Sequence, residues 1–165
     1  MSAAEFNALP APDAVRELLA CNASSAWARA VAAGRPYADL GELREVAAGA
    51  VGALTWPDVR EALDAHPRIG ERAVGEGREA AWSRREQSGA ASADERTAKE
   101  LVEANRAYED RFGHVFLIFA SGRTADEMLA SARQRLRNDE AAERDVVRRE
   151  LTAITLLRLD RLFGT

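Results

Sequence analysis

The sequence predicts an all-α fold, a single-domain bundle of about seven to eight helices spanning residues 1–165. Three observations predict it. Apolar side chains recur at helical spacings, as Leu43, Val46, Val51 and Leu54 do. Several segments open on residue pairs that cap helix N-termini. The Ala-rich stretches are interrupted regularly by Leu, Val, Glu and Arg, which is helix composition and not linker composition.

In chain order, Asp13 to Ala20 and Ala26 to Ala33 are short helices separated by Cys21-Asn22-Ala23-Ser24, and Leu40 to Leu54 is a longer one with one apolar face. Thr55 before Trp56-Pro57-Asp58 is a capping-box-like start with proline in the first turn. That helix must stop about where His66 meets Pro67, because proline disfavours helical geometry in the residue before it. Gly70, Gly75 and Gly77 mark a loop, followed by a short helix from Arg78 to Gln87 that Ser88-Gly89 is expected to end. Ser92 with Glu95, and Thr124 with Glu127, are capping boxes opening helices over Ala93 to Arg111 and Ala125 to Arg137. Asn138 is expected to cap a last helix running to Phe163, where Gly164 supplies a stop. His114 to Ala120 alone has strand character, and a strand without a partner makes no sheet, so it is read as extended or irregular chain inside a helical fold.

With 47% hydrophobic residues the chain is long enough to bury one sizeable core. Twenty-three basic against 27 acidic side chains leave a net charge of -4, a field that repels nucleic acid and anionic membranes. One cysteine, Cys21, makes no internal disulfide and, with two histidines, reproduces no usual metal-ligand spacing. No secretory leader or spanning segment is visible, and the terminal Phe163-Gly164-Thr165 is no peroxisomal address. The expectation is therefore a cytoplasmic protein with no metal, no nucleic-acid partner and no membrane.

His66 stands at a helix exit beside a glycine-rich loop, a site-like place, although a histidine there also serves simply as a C-terminal charge partner. His114, in an aromatic-rich segment, reads as structural. Ser83, Glu86 and Gln87 fall three and four residues apart, so a hydroxyl, a carboxylate and an amide share one helical face. Such a face suits a flat heterocycle with alternating N–H and C=O groups, although the segment standing alone reads first as the solvated face of a short helix. On the last helix Val147, Leu151, Ile154 and Leu162 form one stripe, with Arg158 near its centre. Three roles are open to such an arginine: snorkelling to the edge, pairing with a buried carboxylate such as Glu86, or binding an anionic or carbonyl ligand. The glycines are not spaced as a dinucleotide fingerprint, and Ser83 has no nucleophile-elbow context.

Several stretches taken together resemble one family. They are His66-Pro67-Arg68-Ile69-Gly70, Ser83-Arg84-Arg85-Glu86-Gln87-Ser88-Gly89, Asn105-Arg106-Ala107-Tyr108 running into Arg111-Phe112-Gly113-His114-Val115-Phe116-Leu117-Ile118, and Arg135-Leu136-Arg137-Asn138 with the closing Ile154 to Leu159 helix. In order and separation they are similar to 2-oxo-4-hydroxy-4-carboxy-5-ureidoimidazoline (OHCU) decarboxylase. The resemblance implies an all-α bundle, usually a homodimer, that uses no metal or organic cofactor to convert OHCU to S-allantoin and CO2 in urate breakdown. It implies His66, Glu86 and Arg158 as catalytic residues. It implies Pro67, Ser83, Gln87 and the backbone of Phe116, Leu117 and Ile118 as substrate contacts. His114 stands where the family more often has an apolar aromatic residue. Two rivals remain at this level: a non-catalytic helical binding module, and hydrolysis of a related ureide, which would want a water-activating metal or a nucleophile.

Overall fold

The computed structural model describes residues 1–71 and 75–164. Ten helices and no strand occur among them: α1 (Ala3–Ala8), α2 (Ala11–Leu19), α3 (Ser25–Ala33), α4 (Leu40–Gly52), α5 (Trp56–Asp64), α6 (Arg78–Glu86), α7 (Ser88–Ala91), α8 (Glu95–Phe112), α9 (Ala125–Arg135) and α10 (Glu140–Phe163). All eight expected helices are present, and the segment after α8 is neither helix nor strand, in keeping with its lack of a pairing partner. The chain divides into two compact units, one of residues 1–65 and 151–165, the other of residues 66–150.

In the first unit Phe6, Leu18, Trp27, Leu43, Leu63 and Leu159 are completely buried, each such side chain stabilising by about 1.5–3 kcal/mol relative to exposure. The Trp27 indole donates to the Ala47 carbonyl at 3.0 Å, so burial leaves no orphaned N–H. The end of α10 is fixed here by polar ties. Asn22 Nδ2 donates to Thr155 Oγ1 at 3.1 Å, Thr155 donates to the Leu151 carbonyl at 2.7 Å, and Arg44 pairs with Asp160. The ties to Asn22 and Arg44 hold this end of α10, on which Arg158 is buried, 6% exposed.

The second unit packs Ile69, Leu101, Tyr108, Phe116, Ile118 and Met128 into one apolar cluster. Gly113, at φ 75°, adopts the left-handed conformation that stops α8 and donates to the Glu109 carbonyl at 2.8 Å. The extended segment of residues 114–120 follows directly from that turn.

Three expectations about helix ends are corrected. Ser88-Gly89 does not end the helical run: α6 stops at Glu86, Gln87 sits at the junction, and residues 88–91 form α7. The cap of α8 is Asp94, which accepts from Thr97 N, while the Ser92 hydroxyl donates back to the carbonyls of Ser88 and Gly89. Asn138 does not cap α10. Asp139 accepts from Ala142 N at 2.8 Å, and the Asn138 amide is drawn to Glu143 at 3.0 Å.

The glycine at position 89 is required by proximity and not by conformation. A Cβ there would lie 2.0 Å from the Arg123 carbonyl oxygen, and backbone cannot step aside as a side-chain tip can. Gly89→Ala is expected to destabilise the protein by about 1–3 kcal/mol through overpacking, read as a lower midpoint in denaturant, and an unchanged midpoint would refute the close approach.

Candidate active site

The site is built around the loop that follows α5. The helix ends at Asp64 with Ala65 as its cap, and His66 lies just beyond, half-buried, with Pro67 forbidding a further turn. Side chains from two helices then hold the loop backbone. From the end of α6 the Gln87 amide reaches it twice, Oε1 accepting from Gly70 N at 3.1 Å and Nε2 donating to the Pro67 carbonyl at 3.5 Å. From α8, Asn105 Nδ2 donates to the Ile69 carbonyl at 2.7 Å, and Asn105 is buried. Arg68 also makes a two-pronged contact with Glu109, at 2.7 and 3.3 Å. Because Arg68 is half exposed, that pair contributes little, and the two amides do the positioning.

Ser83 and Glu86 are both 7% exposed on the inner face of α6, where the three-residue spacing puts them together. Next to them a cavity of about 380 Å³ is lined by Gly70 and Glu71 of the loop, by Ser83, Arg84 and Gln87, and by residues of α7. That volume falls in the range of small-molecule sites. The Gln87 amide spends one lone pair and one N–H on the loop and keeps one of each for a ligand.

The extended segment has a regular polar pattern. Its carbonyls at alternate positions accept from side chains: Val115 from His114 Nδ1 at 3.0 Å, Leu117 from Arg135 at 2.6 Å, and Phe119 from Arg123 at 3.0 Å. Among the described residues no hydrogen bond uses the amide N–H of Phe116, Leu117 or Ile118, although all three residues are buried. Buried amide donors are nearly always paired, so this stretch holds donors that the described residues leave unused. His114 is 7% exposed and packs edge-on against Tyr108 at 5.5 Å, occupying an aromatic position as a ring should. His66, Pro67, Ser83, Glu86, Gln87 and Phe116 to Ile118 thus all belong to the second unit, and Arg158 belongs to the first.

Residues 7–160 match the family model described as OHCU decarboxylase. The chain belongs to the OHCU decarboxylase family. It is accordingly a decarboxylase, a carboxy-lyase. It is 31% identical over 134 residues to the 2-oxo-4-hydroxy-4-carboxy-5-ureidoimidazoline decarboxylase of Amia calva, covering 80% of this chain and 77% of that protein. It is 38% identical over 111 residues to the uric acid degradation bifunctional protein TTL of Arabidopsis thaliana, covering 65% of this chain but only 34% of that longer protein. Among solved structures it superposes with TM-score 0.79 and 29% identity on an OHCU decarboxylase crystallised in the presence of (S)-allantoin, covering 90% of this chain and 98% of the other. An (S)-allantoin synthase shares the fold at TM-score 0.75 and 17% identity, over all of this chain and 55% of that one.

Asn105 and Arg135, to which the motifs of this decarboxylase assign no role, both bind backbone beside the candidate residues, at the Ile69 and Leu117 carbonyls. The double grip of Gln87 is also new. Gln87→Leu keeps the bulk and frees Pro67 and Gly70, and it is expected to lower turnover by about 10- to 100-fold, the scale of a slightly misplaced catalytic group. Circular dichroism with initial rates checks this, and normal turnover in the folded variant would show that the loop holds itself.

Proposed function

We propose that this chain converts OHCU to S-allantoin and CO2 in urate degradation, with His66, Glu86 and Arg158 as catalytic residues and Pro67, Ser83, Gln87 and the amides of Phe116 to Ile118 as substrate contacts. The observation that best supports the reading is the Gln87 bridge, which ties the His66 loop to the polar face of α6 beside a cavity of substrate size. The functional unit is residues 1–165 acting as one domain, as a homodimer in the cytoplasm, on a small ureidoimidazoline. No helix of the described residues is long and apolar enough to cross a membrane.

The substrate carboxylate sits on a hydroxyl-bearing ring carbon, from which the electron pair left by CO2 delocalises into the ring. The chain need only orient, stabilise charge and move protons. His66 hydrogen-bonds the hydroxyl and handles the proton, since imidazole exchanges protons near neutrality. Glu86 accepts from ring or ureido N–H groups, and the free donor and acceptor of Gln87 fix the flat heterocycle. Arg158 and the segment amides offset the negative charge that builds on oxygen. The carbon–carbon bond to the carboxylate breaks, CO2 leaves, and one proton is taken up from one face, giving one stereoisomer.

Because the acid–base work is assigned to side chains, CO2 release from freshly made OHCU is expected to continue at full rate in a metal chelator. Loss of activity on chelation, restored by a particular metal, would show that a ligand set carries the reaction instead.

A further inference from the structure

The core of the second unit contains a charged pair that the mechanism above does not use. Arg135 on α9 and Glu143 on α10 are 4% and 1% exposed, against Tyr108 and Phe116 of the apolar cluster. Arg135 Nε donates to Glu143 Oε1 at 2.8 Å, and Nη2 lies 2.6 Å from the same oxygen but off the hydrogen-bond line. Glu143 also accepts from the Tyr108 hydroxyl at 2.5 Å and from Asn138 at 3.0 Å. The guanidinium carbon lies over two rings, 4.6 Å from the centre of Phe116 and 5.6 Å from that of Tyr108. Its remaining arm, Nη1, donates to the Leu117 carbonyl at 2.6 Å.

Burying such a pair is expensive, and apolar residues of like volume often replace one without loss of stability. What they do not replace is the fork: a rigid, planar cation that holds a carboxylate with one edge and a backbone carbonyl with another. Here that carbonyl belongs to the extended segment whose amide N–H groups are unused. Phe116, the ring over which the guanidinium lies, belongs to the same segment, so Arg135 grips the segment by backbone and by side chain.

We propose that Arg135 is a positioning residue for this reaction: anchored by Glu143, it fixes the Leu117 carbonyl and so sets where the amide groups of Phe116 to Ile118 meet the substrate. The inference rests on the functional reading above and gives its amide edge a cause. A purely structural role for the pair would be to tie α9 to α10, and removing it would then alter stability alone.

The test compares wild type with the double variant Arg135→Met/Glu143→Leu, which leaves no buried charge unpaired, and with Arg135→Lys, which keeps the charge but not the fork. Thermal midpoints, kcat, KM for OHCU and calorimetric binding of (S)-allantoin are measured, with amide resonances of Leu117 and Ile118 followed during the allantoin titration. The folded variants are expected to raise KM and the allantoin Kd about tenfold and to lose the allantoin-induced shifts that wild type shows at Leu117 and Ile118. Arg135→Lys serves if the double variant does not fold. Folded variants with wild-type constants and wild-type amide shifts overturn the proposal. Failure of the functional reading is seen separately, as a wild-type protein that neither acts on OHCU nor binds allantoin.

Discussion

Glutamine in place of His66 is expected to lower turnover by about two to four orders of magnitude, the usual range for losing a general acid–base group, while leaving the fold intact. The position favours a clean result. His66 lies outside α5, on a loop whose backbone is also held at its neighbours Pro67, Ile69 and Gly70. Glutamine keeps the approximate size and a hydrogen-bonding end but cannot exchange a proton near neutrality, where unperturbed imidazole titrates at about 6.5. His114 is the internal control. It is buried among rings, with Nδ1 donating to the Val115 carbonyl, so His114→Gln is expected to cost stability by lost packing and to change kcat little. Initial rates, allantoin binding and circular dichroism on both variants decide the matter. A His66→Gln protein with near-normal rates, or a greater loss of kcat in the His114 variant at equal stability, would remove His66 from its role.

Arg158→Met carries the second large effect. Leu151, Ile154 and Leu162 line the same stripe of α10 and are buried, so an apolar side chain of similar length fits that face. If Arg158 meets developing negative charge, methionine is expected to lower kcat by about 10²- to 10³-fold, the scale for removing one preorganised donor, with the thermal midpoint little changed. If instead the arginine completes a buried ion pair, removing it strands a charge and the variant loses about 3–5 kcal/mol of stability. A folded variant with normal specific activity but a large fall in midpoint would reassign Arg158 as structural.

Most helices were legible because their apolar positions repeat over two or more turns. Two were not. The helix α1 has six residues and one buried side chain, Phe6, too few to display a period, although its capping box of Ser2 and Glu5 is complete. The helix α7 was hidden by Gly89, read as a terminator when its lack of a side chain actually serves the approach of the Arg123 carbonyl. Adjacent capping residues proved ambiguous for a tertiary reason. Asn138 and Asp139 both suit an N-cap, and the buried carboxylate of Glu143 decides between them by drawing off the Asn138 amide.

Of the candidate site, the following proline singled out His66 and spacing put Ser83, Glu86 and Gln87 on one face, but only the family resemblance gave them roles. Arg158 was readable as a charge on an apolar stripe. The same reasoning applies to Arg135, seven residues after Met128 and three after Ala132, both completely buried on α9. What spacing could not supply was the target of each side chain. Asn105, Gln87 and Arg135 bond to backbone carbonyls or amides of distant loops, and backbone carries no sequence signal.

The central claim, that this chain makes S-allantoin from OHCU, is tested most directly by optical activity. OHCU generated from urate with urate oxidase and hydroxyisourate hydrolase is followed by polarimetry with and without this protein. The account predicts rapid growth of the S-allantoin signal that scales with protein concentration and is nearly abolished in the His66→Gln variant. Racemic allantoin forming at the same rate with and without the protein would contradict it.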